Sequence, residues 1–325
     1  MRVLLTGASS FTGFWFARAL AQGGHEVMAP LRGALSDYVG IRSVRARQLT
    51  AHAAVVERCA FGSEAFLALV REQDFDVLCH HAAEVANYRS LDFDAAAAAA
   101  ANTCNLRRVL ETMQERTLKA VVATGTVFEP DEGIGEHPRR AFFPYGLSKG
   151  LTWQIVRYWC DVLGVPLGKF VIANPFGPFE EKRFCAYLVE RWRAGEVAEV
   201  RTPQYLRDNI HVDLLALAYA AFAAHMADSR MDSKLGVSGY RETQGAFATR
   251  VAAEMRARVS LECRLVMPQQ AEFLEPMVRI NQDLPDPAAL GWDETKAWDG
   301  LATYYFGGGS QPALAAARPE AAGAP

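Results

Sequence analysis

The feature that most constrains the fold of this chain is a run of small residues between an apolar stretch and a helical one. Val3 to Leu5 has the pattern of a buried strand, Thr6 to Gly13 (TGASSFTG) that of a turn, and Phe14 to Gln22 that of a helix. In this context the turn brings backbone N–H groups and a helix N-terminus to a pyrophosphate, which predicts a dinucleotide site. Ser10 stands where the middle glycine is usual, and a tight turn without a ligand is the alternative. The predicted contacts are Gly7, Ser9, Ser10, Phe11, Thr12 and Gly13.

The same alternation continues along the chain and predicts an α/β fold. Further strands are expected at 27–31, 75–79, 120–123 and 168–173, and long helices at 94–113 and 145–163. Strands that alternate with helices form a doubly wound parallel sheet, a Rossmann fold, and the looser pattern after Pro175 predicts a smaller C-terminal substrate-binding lobe. The predicted division assigns 1–173 plus about 208–230 to the cofactor domain, 174–207 plus about 231–306 to the substrate lobe, and 307–325 to a disordered tail.

Composition excludes several classes of protein. The 325 residues contain 34 Lys and Arg against 37 Asp and Glu, a net charge of −3, and half of them are hydrophobic. This is typical of a globular protein and argues against a nucleic-acid or membrane partner. The six cysteines have no metal-ligand spacing, and the chain shows neither a secretory leader nor a long apolar segment, so we expect reduced thiols, no metal and a cytoplasmic location.

The end of the second predicted strand indicates which nicotinamide cofactor is preferred. An NAD site normally has Asp or Glu about 20 residues beyond the glycines, where it binds the adenosine ribose. Here the strand ends in Pro30-Leu31-Arg32, and Glu26 lies at its beginning. A guanidinium at Arg32 would pair with a 2′-phosphate, which favours NADP over NAD. A solvated surface arginine is the alternative.

A Tyr-x-x-x-Lys pattern supplies the candidate acid/base group. Tyr145 and Lys149 are four residues apart and share one face of a predicted helix. A nearby ammonium lowers the pKa of a phenol, which can then exchange a proton with a carbinol oxygen while the cofactor moves hydride. A hydroxyl donor to the same oxygen should come from the end of the preceding strand, where Thr124 and Thr126 are both candidates.

Together these motifs resemble the extended short-chain dehydrogenase/reductase family, the group of nucleotide-sugar epimerases, dehydratases and reductases. The resemblance runs from Met1 to about Phe306. Besides the glycine turn and Tyr145/Lys149, it is carried by His81-Ala82-Ala83, Asn102, 105–106, 174–178, 207–213 and 290–292.

The resemblance implies further roles. Among the threonines it selects Thr124 as catalytic, leaving Thr126 as a substrate contact, and it places Lys149 on the nicotinamide ribose. It adds His81, Ala82, Ala83 and Asn102 to the cofactor site, and it implies that Asn174, Arg207 and Arg279 bind the sugar or diphosphate of a nucleotide sugar. It also implies a homodimer formed through helices 94–113 and 145–163.

Two departures from the family pattern and one pair of arginines qualify the function. Family dehydratases carry Asp-Glu directly after the catalytic threonine, where this chain has Gly125-Thr126, which argues against a dehydratase. The acidic residue expected for the adenine is missing near Cys59. Arg139 and Arg140 could meet an anionic substrate group, although a solvated loop is the simpler interpretation.

The sequence therefore predicts an NADP-dependent oxidoreductase that acts on a keto or hydroxy carbon of a nucleotide sugar, with position 4 favoured. An epimerase that keeps its cofactor bound is the first alternative, and a non-catalytic NADP-binding module is the second.

Overall fold

The structure, a computed structural model, describes residues 1–135 and 140–307. The strands, in chain order, are β1 (Arg2–Leu5), β2 (Glu26–Pro30), β3 (Ala54–Val56), β4 (Val77–His80), β5 (Ala120–Thr126), β6 (Leu167–Ile172), β7 (Asn174–Phe176), β8 (Ala198–Glu199), β9 (Leu206–His211), β10 (Ser233–Leu235), β11 (Tyr240–Thr243), β12 (Leu265–Val266) and β13 (Val278–Arg279). The helices are α1 (Phe11–Gln22), α2 (Gly40–Leu49), α3 (Glu64–Glu72), α4 (Ala95–Asn102), α5 (Leu106–Gln114), α6 (Phe143–Leu163), α7 (Phe184–Arg193), α8 (Val212–Ser229), α9 (Gln244–Arg256) and α10 (Glu294–Phe306).

The larger unit is the expected Rossmann fold, a seven-stranded sheet in the order β10-β6-β5-β4-β1-β2-β3 in which every neighbouring pair is parallel. Both faces are covered, because alternate residues of the strands are apolar on either side. One face packs on α1 and α8, and the other on α3, α5 and α6. The carboxyl ends of β1, β4 and β5 therefore meet at one edge, where ligands of open α/β sheets bind.

The smaller unit is built around a four-stranded sheet with β9 at its centre, which pairs with β11 on one side and with β7 and β13 on the other. Its core is formed by apolar side chains of α7, α9 and α10. Strand β10 belongs to the large sheet, because Ser233 to Leu235 pair with β6, although the sequence placed residues after about 230 in the other lobe.

The Ala-rich helix is the clearest difference from expectation. The sequence predicted one helix over 94–113, whereas the structure has two, α4 and α5, separated by three residues. Asn105 adopts the left-handed region at φ +51° and its side-chain amide donates to the carbonyl oxygen of Gly62 at 2.8 Å. The helix therefore ends where a tertiary hydrogen bond holds the backbone, which alanine content does not reveal.

Smaller differences concern helix ends and the C-terminus. Helices α1 and α6 begin at Phe11 and Phe143, a few residues before the positions expected from periodicity. The tail predicted at 307–325 lies, beyond Gly307, outside the described residues, as does Arg139. None of the helices within 1–135 and 140–307 is long and apolar enough to cross a membrane. The cytoplasmic location stays a prediction.

Candidate active site

The glycine turn has the conformation that a phosphate site requires. Gly7 has φ +74°, and a Cβ there would lie 2.8 Å from the backbone nitrogen of Ala82. Ser10, which replaces the usual middle glycine, is the N-cap of α1, since its hydroxyl accepts from the N–H of Gly13 at 3.1 Å. The other N–H groups of the first helical turn point out of the helix N-terminus and form the positive end of the helix dipole.

Residues after β4 hold this turn in place. The Thr6 hydroxyl accepts from the N–H groups of His81 and Ala82 at 3.1 and 3.0 Å. The Nε2 atom of His81 lies 3.1 Å from the Ser10 hydroxyl and 3.0 Å from that of Thr12. Burial, with the positive charge of Lys149, lowers the pKa of His81 to about 3, so the imidazole is neutral. His81 thus lies behind the glycine turn and supports it.

Asn102 also has a supporting position. Its side-chain oxygen accepts from Glu84 N at 2.7 Å, its amide donates to the Thr152 hydroxyl at 3.1 Å, and its carbonyl oxygen lies 2.9 Å from His80 Nε2. The residue is 5% exposed. It therefore joins the loop after β4 to α6.

Two arginines of α2 also contact the turn, and the sequence analysis did not identify them. Arg42 donates to the Ser9 hydroxyl at 3.0 and 3.2 Å. Arg45 is fully buried and donates to the carbonyl oxygens of Ser9 and Phe179 and to the Glu181 carboxylate, at 3.1, 2.7 and 2.5 Å. These bonds fix the turn to the segment that precedes α7. Their partners are remote in sequence, which is why local pattern gave no signal.

Arg32 lies beyond the end of β2, as expected, and the structure adds a partner for it. Its guanidinium is 3.1 Å from the carboxylate of Glu84, and the two side chains are 69% and 32% exposed. Glu84 also accepts from the N–H groups of Val85 and Ala86. The bond from Ala86 makes the largest contribution to lowering the pKa of Glu84, and Arg32 and the bond from Val85 lower it further. A cation and an anion therefore both face the space beyond β2.

The connection between β5 and α6 holds the helix that carries Tyr145 and Lys149. The carbonyl oxygen of Phe128 accepts from Phe142 N at 2.8 Å and lies so close to Gly146 that a side chain there would overlap with it. Arg279 is 7% exposed and donates to the carbonyl oxygens of Val127 and Arg140 at 2.5 and 2.7 Å. The resemblance assigned Arg279 to a diphosphate, whereas in the structure these two donors hold the connection.

Tyr145 lies in the first turns of α6, with the rings of Tyr88 and Phe93 edge-on at 5.5 and 6.3 Å. Burial raises the pKa of its phenol, the charge of Glu129 raises it further, and Arg183 lowers it. The sequence had given the lowering effect to Lys149. Lys149, one helical turn away, is 6% exposed, and burial lowers the pKa of its ammonium.

The two threonines of β5 differ in their surroundings. Both are buried, and both face the side of the sheet on which α8 packs, since Val122 faces that side and residues alternate along a strand. The hydroxyl of Thr126 accepts from Phe128 N at 3.4 Å. The hydroxyl of Thr124 lies beside the Tyr219 phenol of α8 and interacts with it, although within the described part of the chain it meets no partner at full hydrogen-bond geometry. Thr124 is therefore the less firmly held of the two.

A buried ion cluster lies beside these residues, and it too was missed. Lys169 of β6 lies 2.6 Å from Glu129 and 2.7 Å from Glu132, and its ammonium is 4.6 Å from the ring centre of Trp153. Glu129 Oε1 accepts from Thr126 N at 2.9 Å. A Cβ on Gly125 would lie 2.8 Å from Lys169 and 2.9 Å from Glu129, so this cluster fills the space that a dehydratase-type side chain at 125 would need.

The smaller lobe contributes a cavity of about 540 Å³ beside Arg207. One terminal nitrogen of Arg207, Nη1, donates to the carbonyl oxygens of Leu206, Pro276 and Met277, and the other, Nη2, donates to Glu275 at 2.8 Å. Asn174 pairs with Asn209 in the adjoining strand and is half-buried. Within the described ranges no cluster of three or more metal-ligating side chains is present.

Comparison with known proteins gives these features a context. Residues 3–234 match the model of the NAD dependent epimerase/dehydratase family. No curated protein sequence matches the chain.

Several solved structures share the fold. One is a UDP-glucose-4-epimerase from Stenotrophomonas maltophila with bound NAD and formylated UDP-arabinopyranose (17% identity, 94% of this chain and 98% of that one, TM-score 0.69). Another is a UDP-glucuronic acid 4-epimerase from Bacillus cereus in complex with UDP-glucuronic acid and NAD (14%, 94% and 99%, 0.69). A third is a dTDP-glucose 4,6-dehydratase from Streptomyces venezuelae with bound NAD (18%, 94% and 97%, 0.66).

Proposed function

The chain belongs to the NAD dependent epimerase/dehydratase family. We propose that it is an NADP-dependent oxidoreductase that acts on a keto or hydroxy carbon of a nucleotide sugar, and we favour carbon 4 of the sugar as the reacting position. The observation that carries the proposal is the pair Tyr145 and Lys149 on one face of α6, the helix that follows β5, together with the buried hydroxyl of Thr124 near the carboxyl end of β5. A protein that only binds a dinucleotide has no need of this set.

The residues of the glycine turn fit a nicotinamide dinucleotide. Gly7 leaves backbone space, Ser10 caps α1, and the first turn of that helix offers N–H groups to a pyrophosphate. When bound, the cofactor supplies or accepts the hydride. We propose that Gly7 to Gly13 hold the pyrophosphate, that His81, Ala82, Ala83 and Asn102 support that site, and that Lys149 binds the ribose. We also propose that the seven-stranded unit is the cofactor domain and the smaller unit the substrate lobe.

In the reducing direction Tyr145 would donate its phenolic proton to the substrate oxygen, and Thr124 would donate a hydrogen bond to the same oxygen. Because burial raises the pKa of Tyr145, the phenol is protonated at neutral pH and suited to act as the acid. Arg207 would bind the diphosphate beside the cavity, and Asn174 would contact the sugar. Arg279 would act through the connection that it holds.

Loss of NADPH absorbance with a panel of 4-keto nucleotide sugars tests this function. Tyr145→Phe should abolish turnover and leave cofactor affinity within twofold. Tyr158→Phe, which removes a hydroxyl from an exposed position of the same helix, is the matched control and should keep full activity. Turnover by Tyr145→Phe at the wild-type rate would contradict the assignment.

One observation favours a second candidate, an epimerase that retains NAD. Glu84 neutralises Arg32 and offers a carboxylate near the position where NAD sites bind the adenosine ribose. The two epimerase structures described above contain NAD. Inversion of a sugar hydroxyl without net consumption of cofactor would establish this reaction instead.

We further propose a homodimer. The exposed apolar side chains of α6 lie at positions spaced by four, seven and four residues, which places them on one helix face. They are Leu147, Leu151, Tyr158 and Val162, between 39% and 59% exposed. Exposed alanines of α4, at 96, 97, 100 and 101, leave space for close helix contact. Pairing of these helices between two copies would cover both surfaces.

A further inference from the structure

The buried ion cluster on β6 has a geometric relation to the acid/base helix that the proposed function does not use. Glu129 is 1% exposed and Lys169 is 3% exposed, and their charged atoms are 2.6 Å apart. Removing two charges from water is costly, and such a pair often stabilises a fold no better than apolar side chains of the same size. The position of the Glu129–Lys169 ion pair, beside the helix that carries Tyr145 and Lys149, suggests a role in the proposed active site.

The cluster reaches α6 by two routes. The ammonium of Lys169 lies over the ring of Trp153, which is one helical turn beyond Lys149 on the same face of α6. Glu129 follows Phe128, whose carbonyl oxygen lies against Gly146, next to Tyr145. Glu129 is thus held from β6 through Lys169 and from β5 through Thr126 N, and it directly follows Phe128, which packs on the first turn of α6.

Lys149 is a buried ammonium, and burial lowers the pKa of an ammonium unless an anion compensates it. Glu129 lies in the segment that packs on α6 and is bonded to Lys169, which itself lies over Trp153 of that helix. Its negative charge raises the pKa of Lys149, while the positive charge of Lys169 lowers it. Glu132 contacts Lys169 as well, but it pairs outward with Lys234, which is 55% exposed. The two glutamates therefore share one lysine and differ in the direction of their second partner.

We propose that Glu129 is a positioning residue that keeps Lys149 charged, so that the ammonium can bind the nicotinamide ribose. The inference rests on the proposed role of Lys149. Other charged or titratable groups surround Lys149 and Tyr145. Lys169 from β6 and His80 and His81 from the end of β4 interact with Lys149, and Tyr88 and Arg183 interact with Tyr145.

The sign of the effect follows from the charges. Affinity for the cofactor should fall as pH rises through the pKa of Lys149, because the neutral amine no longer offers a positive charge. Glu129→Gln removes the compensating anion, lowers that pKa and moves the loss of affinity to lower pH. Lys169→Gln removes the opposing cation, raises that pKa and moves the loss to higher pH.

The experiment is a fluorescence titration with NADPH at a series of pH values, which needs no substrate. The measured quantity is the midpoint pH, at which half of the affinity for NADPH is lost. We expect this midpoint to move down by about one pH unit in Glu129→Gln and up by about one unit in Lys169→Gln, which is the size of pKa shift that a neighbouring charge causes. Glu132→Gln is the matched control, since it loses a contact to the same lysine, and its midpoint should equal that of the wild type. Glu129→Asp, which keeps the charge, should keep the midpoint close to that of the wild type.

A purely structural role predicts a different outcome. Glu129→Gln and Lys169→Gln break the same ion pair, so a structural effect would move both midpoints in one direction or neither, and either result overturns the inference. If Glu129→Gln fails to fold, an unchanged or lowered midpoint in Lys169→Gln is sufficient to refute it. Wild-type protein that binds no NADPH or NADH at all would instead overturn the proposed function.

Discussion

The pairing of Arg32 with Glu84 gives a quantitative test of the NADP proposal. If Arg32 binds the 2′-phosphate, Glu84 competes for the same guanidinium at 3.1 Å, and Glu84→Gln should increase affinity for NADPH. The substitution is otherwise mild, because the backbone N–H groups of Val85 and Ala86 donate to Glu84 Oε1, an acceptor that glutamine retains.

The magnitude follows from the exposure of the pair. An ion pair with side chains 69% and 32% exposed is worth about 0.2–1 kcal/mol, so releasing Arg32 contributes at most about 1 kcal/mol. Repulsion between Glu84 and a phosphate at contact distance in water adds about 1 kcal/mol. The sum of about 1–2 kcal/mol corresponds to a five- to thirtyfold gain for NADPH. NADH has only hydroxyl groups at this position, so its affinity should stay the same or fall.

Calorimetric titration of wild type, Glu84→Gln, Arg32→Ala and the double variant with NADPH and NADH measures both effects. Arg32→Ala should remove the preference for NADPH. In the double variant the gain from Glu84→Gln should shrink to the repulsion alone, since no guanidinium remains to be released. An undiminished gain in the absence of Arg32, or an equal gain for NADH, would refute the argument that Arg32 reads the 2′-phosphate.

Three further predictions follow from the site and the helices around it. Gly146→Ala places a methyl group against the carbonyl oxygen of Phe128, and we expect it to lower the free energy of unfolding, measured with urea, by about 1–3 kcal/mol. Gly164→Ala, at the left-handed end of α6, is the control for backbone strain without a steric overlap. Arg183→Met removes the cation that lowers the pKa of Tyr145, so the pH profile of kcat should move to higher pH whether the phenol acts as acid or its phenolate as base; an unchanged profile would contradict the assignment. Tyr158→Glu places a charge in the exposed apolar face of α6 and should give a monomer in sedimentation at micromolar concentration, where a wild-type monomer would already count against the dimer.

The parts of the site that the sequence predicted are those that local pattern determines. The turn from Gly7 to Gly13 is specified by its own small residues and by the helix that follows, and the spacing of Tyr145 and Lys149 follows from helix geometry alone. Five of the seven parallel strands, β1, β2, β4, β5 and β6, likewise follow from apolar runs, although their exact ends do not, whereas β3 and β10 were not predicted.

The parts that it missed depend on contacts between distant segments. Arg45 and Glu181 are 136 residues apart, and Lys169 and Glu129 are 40 apart, so no local periodicity relates them. One signal was available: Lys169 interrupts an otherwise apolar buried strand, and a lysine at such a position requires a buried partner. The break between α4 and α5 has a similar origin, because the amide of Asn105 bonds to Gly62.

The three arginines proposed from sequence as anion sites can now be ordered by what each would have to give up to bind a phosphate. Within the described residues, Arg32 would exchange one partly exposed carboxylate, that of Glu84. Arg207 is 11% exposed, but three carbonyl oxygens hold its Nη1 atom while Nη2 bonds to Glu275, whose side chain is 41% exposed. A diphosphate could therefore replace Glu275 at Nη2 without moving the guanidinium. Arg279, buried and donating to two carbonyl oxygens of the β5–α6 connection, would leave those oxygens unsatisfied if it turned to a ligand, at a cost of about 1–3 kcal/mol each. The same charge thus suits Arg32 and Arg207 to binding, and Arg279 to holding the acid/base helix in place.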